Sequence, residues 1–366
     1  MFCIQNNKDN KQEDGHMLRK KLGVLAAIFC LAITMSACGQ EKKETSSKGE
    51  ELEEITFAEP ARILSVAPFY VAIEQGFFKE EGIEAKIASG GGGAQVIASL
   101  LSGEAQFAVS GPRSMFAPLD KGENLVAIQS LNSALTFQIT FSKKYIKENG
   151  LSKDSPFEDK IKALAGSTIG TNLVGDSGDV YARYLMKLHN IDPKDFKTVK
   201  LSGDGSKIGG MQEGIVDGGV ASPPMGLHAE DKEVGEIMID MMEEPMYKNM
   251  AWEVVFADKD YLEKNHETSL KVVRAIGKGM EFTRDNPAEA AKSISPYFEG
   301  VDVDIIEKSL IGLKDTFKGY GEMNQEAWDN AQDPLIEYKD LSGVTKKQDT
   351  AEDVIWTNKY IDEAFK

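Results

Sequence analysis

Gly90-Gly-Gly-Gly-Ala-Gln-Val-Ile-Ala-Ser-Leu-Leu-Ser-Gly-Glu-Ala-Gln-Phe-Ala-Val-Ser-Gly-Pro112 is the stretch from which the fold can be read. Val96, Ile97, Leu100 and Leu101 recur at helical spacing and mark one apolar face. Gly103 stands where a helix ends in a left-handed residue. Phe107 to Val109 reads as a short apolar strand, and Ser110-Gly111-Pro112 forces a turn directly after it. Glycines at a helix start leave backbone N–H groups uncovered, and the helix dipole favours electron-rich groups there. A strand ending in Ser-Gly-Pro adds donors at the carboxyl edge of a sheet, where open α/β folds bind ligands. The plain alternative is a turn–helix–strand unit whose glycines serve tight turns alone.

Working outward, Arg62 to Ala67 reads as a strand that stops at Pro68. Phe69, Tyr70, Val71 and Ile73 open a short helix closed by Gly76, and Ile83, Ala85 and Ile87 alternate with charged residues as a strand does. Leu125 to Ile128 is a further strand. The order β-α-β-α-β with short connections predicts a parallel, doubly wound sheet. Its strand ends at Ser65, Gly90 and Ser110 are expected on one edge. Phe69 is assigned to the core, while Tyr70 could pack or stack on a ligand.

Further along, Thr136 to Phe141 is a strand leading away from this unit, and Ser167 to Gly170 is another. Tyr181, Tyr184, Leu185 and Leu188 share a helix face, with Asp176, Ser177 and Asp179 as natural N-terminal residues. Lys197 to Leu201 and Trp252 to Ala257 are also strands, and the remainder is mainly helical. A shift of 111 positions lays Ile97 on Ile208, Gly103 on Gly214, Gln106 on Asp217, Val109 on Val220 and Pro112 on Pro223. Glycine turns precede both helices, with Gly92 on Gly203. A joint match at one offset predicts two lobes of similar fold, residues 56–136 plus 252–366 and residues 137–251.

The first residues read as an address. Arg19-Lys20-Lys21 precedes an apolar run of about 16 residues that ends in small residues, which is the pattern of a secretory signal. The run is short for a membrane span, which needs about 20. Met35-Ser36-Ala37-Cys38 resembles a bacterial lipobox and implies cleavage after residue 37 and acylation, including palmitate, of Cys38. Met17 opens a conventional signal, so translation is expected to start there. Residues 38–55 then read as a lipidated cysteine and a polar, disordered tether.

The chain carries a net charge of −17, and the first 38 residues hold five Lys/Arg against three Asp/Glu, so the body beyond them carries −19. Such a body is unsuited to nucleic acid and repels anionic lipid, leaving an anchor as its route to a membrane. All three cysteines lie in the first 38 residues, so the body has no disulfide and no thiol nucleophile. His189, His228 and His266 lie far apart in no metal-ligand spacing. There is no Gly-x-Ser-x-Gly elbow, and Ser89 to Gly93 lacks the Lys-Ser/Thr of a phosphate loop. No catalytic residue, metal or cofactor is expected, and an enzyme is disfavoured.

Ala67-Pro-Phe-Tyr-Val-Ala-Ile-Glu-Gln-Gly-Phe-Phe-Lys-Glu-Glu-Gly-Ile-Glu-Ala85 resembles the opening of solute-binding proteins of nitrate, sulfonate, taurine and thiamine-precursor ABC importers. Residues 92–108 are similar to a second pattern of that family, with Gln106 where Asp is common. The resemblance spans about residues 60–320. It implies a type II periplasmic-binding-protein fold in the α/β class, with a ligand cleft between two doubly wound lobes. It also implies capture of a small polar molecule and delivery to a permease and its ATPase, by a monomer on the outer face of the cytoplasmic membrane. Carried over by position, cleft contacts fall on Ser65, Tyr70, Gly92, Gly93, Ala94, Ser110 and Asn132. From the second lobe they fall on Thr171, Asn172, Asp176 and Ser177, with Pro223 and Trp252 as weaker candidates. Asp176 in the cleft would favour an amine or aminopyrimidine over an anion; as a helix cap it would leave the ligand open. The alternatives are a pyrimidine-precursor synthase on the same fold or a surface sensor lipoprotein. Family enzymes of the former kind carry a cysteine-rich motif and an active histidine, and the body here has no cysteine.

Overall fold

In the computed structural model, residues 52–366 are described. The signal segment, Met17, Cys38 and the tether as far as residue 51 lie outside the described residues. Strands β1 (Glu53–Glu59), β2 (Ile83–Ser89), β3 (Phe107–Ser110) and β4 (Leu125–Asn132) come from the first part of the chain. Strands β5 (Gln138–Ser142), β6 (Thr168–Thr171), β7 (Lys197–Lys200), β8 (Gly218–Ala221) and β9 (Gly235–Asp240) follow, and β10 (Glu253–Asp258) returns.

They form two five-stranded sheets, ordered β2-β1-β3-β10-β4 and β7-β6-β8-β5-β9. In the first, β1 pairs parallel with β2 and β3, while β10 runs antiparallel to β3 and β4. In the second, β6 pairs parallel with β7 and β8, while β5 runs antiparallel to β8 and β9. The two orders are the same once β1 is laid on β6, and the antiparallel strand of each sheet is the one that follows a crossing between sheets. This is an α/β architecture of two doubly wound lobes.

The repeat at 111 positions corresponds to real elements. Helix Gly92–Leu101 with β3, and helix Asp204–Gln212 with β8, hold equivalent places. Gly103 and Gly214 both take positive φ, +77° and +69°, just past those helices. Gln106 Oε1 accepts from Thr56 N at 2.8 Å, and Asp217 Oδ2 accepts from Thr168 N at the same distance. The repeated Gln/Asp position therefore staples the start of β3 to β1 and the start of β8 to β6, equivalent strands in the two sheets.

One expected strand is absent. Arg62 to Ala67 does not extend a sheet; Leu64–Val66 is a 3-10 turn and Ala67–Glu74 a helix with Pro68 in its first turn. Proline suits that position because its missing N–H has no partner there anyway. The first strand is instead Glu53–Glu59, where Ile55 and Phe57 point inward between acidic and polar neighbours. Ordered structure thus begins inside the span read as tether.

The first sheet buries both faces. Phe57, Phe107, Val109 and Val255 pack beneath helices Ala67–Glu74 and His266–Asp285, and Phe57 meets Phe69, Phe78 and Phe107 at centroid distances of 4.9, 5.3 and 5.5 Å. Gly279 lets the second helix cross the first, since a Cβ there would overlap the Pro68 carbonyl. The opposite face, with Ala58, Ala108 and Phe256, belongs to an apolar cluster that runs on to Ile169, Val220 and Ile239 of the second sheet. Helix Gln325–Glu337 joins them: Trp328 meets Phe116 edge-on at 5.9 Å, and the Ala331 carbonyl accepts from Tyr181 Oη at 2.8 Å. The C-terminal helices were expected to belong to the first lobe; this one packs on both. No helix among the described residues is long and apolar enough to cross a membrane.

Candidate functional site

The carboxyl edges of the two sheets face each other and touch. Arg113, just past β3, donates from Nη1 to Gly175 O at 2.6 Å, in the loop after β6. The same guanidinium reaches Ser342 O and Leu341 O at 2.8 and 3.2 Å. Thr136 Oγ1 and Ser222 Oγ, past β4 and β8, lie 2.9 Å apart. Trp252, immediately before β10, meets Tyr181 of helix Ser177–Leu188 edge-on at 5.4 Å.

The first-lobe edge carries buried acid. Glu59 ends β1 and Glu253 begins β10, 1% and 4% exposed. Strand alternation puts both on the face of Phe57, Val109 and Val255, because side chains two residues apart share a face. Glu59 is compensated: Arg62 pairs with it, and Tyr70 Oη donates to its Oε2 at 2.6 Å. Desolvation nevertheless raises its pKa, opposed by Tyr70, Arg62 and Ser89. Arg62 in turn lies over the rings of Tyr297 and Tyr70, which stack at 4.8 Å. Glu253 has no ion-pair partner among the described residues, and its Oε2 has no hydrogen bond. Burial, with the nearby Glu59 charge second, pushes its carboxyl up to about 8.

Ser65 lies over the same edge. The turn Leu64–Val66 follows β1 and packs on β4, and β3 and β10, which carry Ser110 and Glu253, lie between those two strands in the sheet. Ser65 is wholly buried and its Oγ has no partner. Trp252 Nε1 is likewise buried and unbonded. Buried polar groups are nearly always paired, so three such orphans around one edge call for an explanation.

On the other side of Glu59 a cavity of about 180 Å³ opens between the ends of β1 and β2 and helix Gly92–Leu101. Its polar lining is Glu59, Ser89, Gln95, Ser99 and Glu104, with no basic side chain. Gly90, Gly91 and Gly92 all take positive φ at this mouth, so the glycine run is conformationally required. Gly93 has a second reason: a Cβ would sit 2.6 Å from Ser114 Oγ, which accepts from Ser110 Oγ at 2.9 Å.

The residues singled out from the sequence divide accordingly. Ser65, Gly92, Gly93, Ala94, Ser110 and Trp252 lie at the first-lobe edge or helix start, and Gly92, Gly93 and Ala94 stay accessible. Tyr70 does not face open space; it is buried, with its hydroxyl spent on Glu59. Asn132 is also spent internally, donating to Thr316 Oγ1 and accepting from Ala134 N. Asp176 caps its helix, accepting from Asp179 N and Leu173 N at 3.0 Å each, so it carries no information on ligand charge. Asn172 Oδ1 accepts from Lys207 Nζ at 2.7 Å, Thr171 Oγ1 is buried and unpartnered, Ser177 opens the helix, and Pro223 is buried past β8. Sequence reasoning missed Glu59, Glu253 and Arg113. A lone acid at the start of the apolar run Trp252 to Ala257 was the available signal for Glu253.

Comparison with known proteins places this geometry. YtlA of Bacillus subtilis, named as a binding protein, is 26% identical over 320 residues, covering 86% of this chain and 90% of that protein. THI5 of Saccharomyces cerevisiae, named as a 4-amino-5-hydroxymethyl-2-methylpyrimidine phosphate synthase, is 23% identical over 253 residues, 66% of this chain and 70% of its own length. The periplasmic aliphatic sulphonate binding protein SsuA from Escherichia coli superposes with a TM-score of 0.65 at 16% identity, covering 84% of this chain and 99% of that one. That likeness establishes the fold, a periplasmic-binding-protein architecture. Residues 64–290 match the model described as NMT1/THI5 like, more than half of the sequence, and the chain belongs to that family.

Proposed function

We propose that this protein is the extracytoplasmic solute-binding component of an ABC importer, holding a small polar molecule between its lobes. The observation that carries the reading is the meeting of two like-ordered sheets at their carboxyl edges, with unpartnered polar groups buried at the junction. Such an edge is where open α/β sheets bind ligands. A sulfonate, nitrate or pyrimidine-like compound is the substrate range suggested by the sequence resemblance. Domain limits near residues 136 and 252 place the crossings between sheets on either side of β5 to β9. The first-lobe contacts are Ser65, Ser110, Trp252 and the helix start at Gly92 to Ala94; Thr171, Asn172 and Ser177 face them. The signal segment and Cys38 support a lipid anchor on the outer face of the membrane, and delivery would be to a permease driven by its ATPase.

Closure requires that ligand bind the closed arrangement more tightly than the open one. Small-angle scattering is therefore expected to give a smaller radius of gyration once a ligand saturates the protein. An unchanged radius with bound ligand would contradict the reading. The relatives named as synthases support a second reading, an enzyme on the same fold. Chemical change of the bound compound by purified protein would favour it.

A further inference from the structure

We infer that the ligand carries a cationic nitrogen, an amine or amidinium, and that Glu253 is its counter-ion, with the Ser65 hydroxyl beside it. This rests on the solute-binding reading and names the substrate class of that site. Three observations converge. Glu253 is an almost fully buried carboxyl with no ion-pair partner among the described residues and with an unbonded Oε2. Ser65 Oγ is buried and unbonded on the turn that follows β1 and packs on β4, the strands that flank β3 and β10. Beside them, the cavity on the other side of Glu59, lined by neither Glu253 nor Ser65, carries two carboxylates and no basic side chain.

The charges around Glu253 leave it uncompensated. Glu59 faces it from β1 and Tyr181 from helix Ser177–Leu188. Arg62 is paired with Glu59, and Arg113, which also acts on Tyr181, gives Nε, Nη1 and Nη2 to three carbonyls. An anion brought to the first-lobe edge would meet Glu59 and Glu253 with Arg62 and Arg113 already engaged, while the buried cation of the facing lobe, Lys207, is hydrogen-bonded to Asn172 Oδ1. A cation would satisfy the empty acceptor, and a buried charge-assisted hydrogen bond is among the stronger ones available. Burial, with the Glu59 charge second, pushes the acid up to about 8 and so favours its neutral form in the ligand-free protein. Binding of a cation therefore expels one proton.

The test is calorimetric titration of the full protein with putrescine, ethanolamine and acetamidine, against nitrate, methanesulfonate and neutral 4-aminopyrimidine, at pH 6, 7 and 8. A cationic probe is expected to bind, with affinity rising about tenfold between pH 6 and 7 and about fivefold between pH 7 and 8. E253Q is expected to lose at least about tenfold of that affinity at pH 8 and to abolish the pH slope, while the exposed E213Q keeps both. The melting curve of E253Q without ligand reports that it folds. Tight binding of nitrate or methanesulfonate, or of 4-aminopyrimidine without a pH slope, overturns the cation assignment and leaves the receptor reading intact. Failure of all six probes, at concentrations that saturate relatives, overturns both.

Discussion

At the residue scale, the buried and unpaired carboxyl of Glu253 carries both a stability prediction and the proposed counter-ion role. Its pKa is raised from 4.5 to about 8 by burial. A carboxyl raised on folding contributes stability that is full below the unfolded value and is lost as pH rises through the folded one. Between pH about 4.5 and 8 the ligand-free protein should therefore lose on the order of 4 kcal/mol through this one group, at 1.36 kcal/mol per unit. E253Q should flatten that slope and melt higher than the parent at pH 8, measured by denaturant titration at each pH. The paired staples make a second prediction. Gln106→Ala and Asp217→Ala each leave a strand N–H, of Thr56 or Thr168, without its acceptor. Each should cost about 1–3 kcal/mol by chemical denaturation, and by similar amounts in the two lobes. The staple was visible in the sequence as a repeat of Gly, Gln/Asp, Val and Pro at one offset. Glu253 was not, since an acid at a strand end looks the same whether it points to solvent or to an unfilled acceptor site.

At the element scale, local signals identified most helices and strands. The helix Gly92–Leu101 announced itself by apolar spacing and by Gly103 past its end, and the structure shows why its glycines are obligatory. The failure at Arg62 to Ala67 has a physical cause. Ile63 and Val66 are β-formers, yet Pro68 suits the first turn of a helix as well as it stops a strand. The start of the true first strand was hidden because Glu53 and Glu54 made Ile55 look like the end of a polar tether. Asp176 illustrates the limit of a residue's type: its two backbone acceptances at 3.0 Å make it a cap. Asp176→Ala should therefore destabilise helix Ser177–Leu188 by about 1 kcal/mol, in the range of lost N-caps. The same variant should leave the ranking of cationic over anionic probes unchanged. A reversed ranking in the titration would return Asp176 to the cleft.

At the scale of the molecule, the lobes are joined by more than the crossings on either side of β5 to β9. Helix Gln325–Glu337 packs on both, and Asp120 holds the following segment through the N–H groups of Thr345 and Lys346 at 2.5 and 3.1 Å. Arg113 ties the first lobe to Gly175 of the second and to the carbonyls of Leu341 and Ser342. Arg113→Ala should open the ligand-free arrangement, seen as a larger radius of gyration, and weaken ligand binding, because less of the population is competent to bind. Two lobes were legible from the repeat, but this third connection was not, since it joins residues far apart in the chain, such as Tyr181 with Ala331 and Asp120 with Thr345. The central claim is that the protein captures a small molecule and returns it unchanged. Native mass spectrometry after incubation with the six probes tests that most directly. The account predicts one probe per chain, recovered on denaturation with its mass unaltered, whereas a chemically altered probe or no bound small molecule would contradict it.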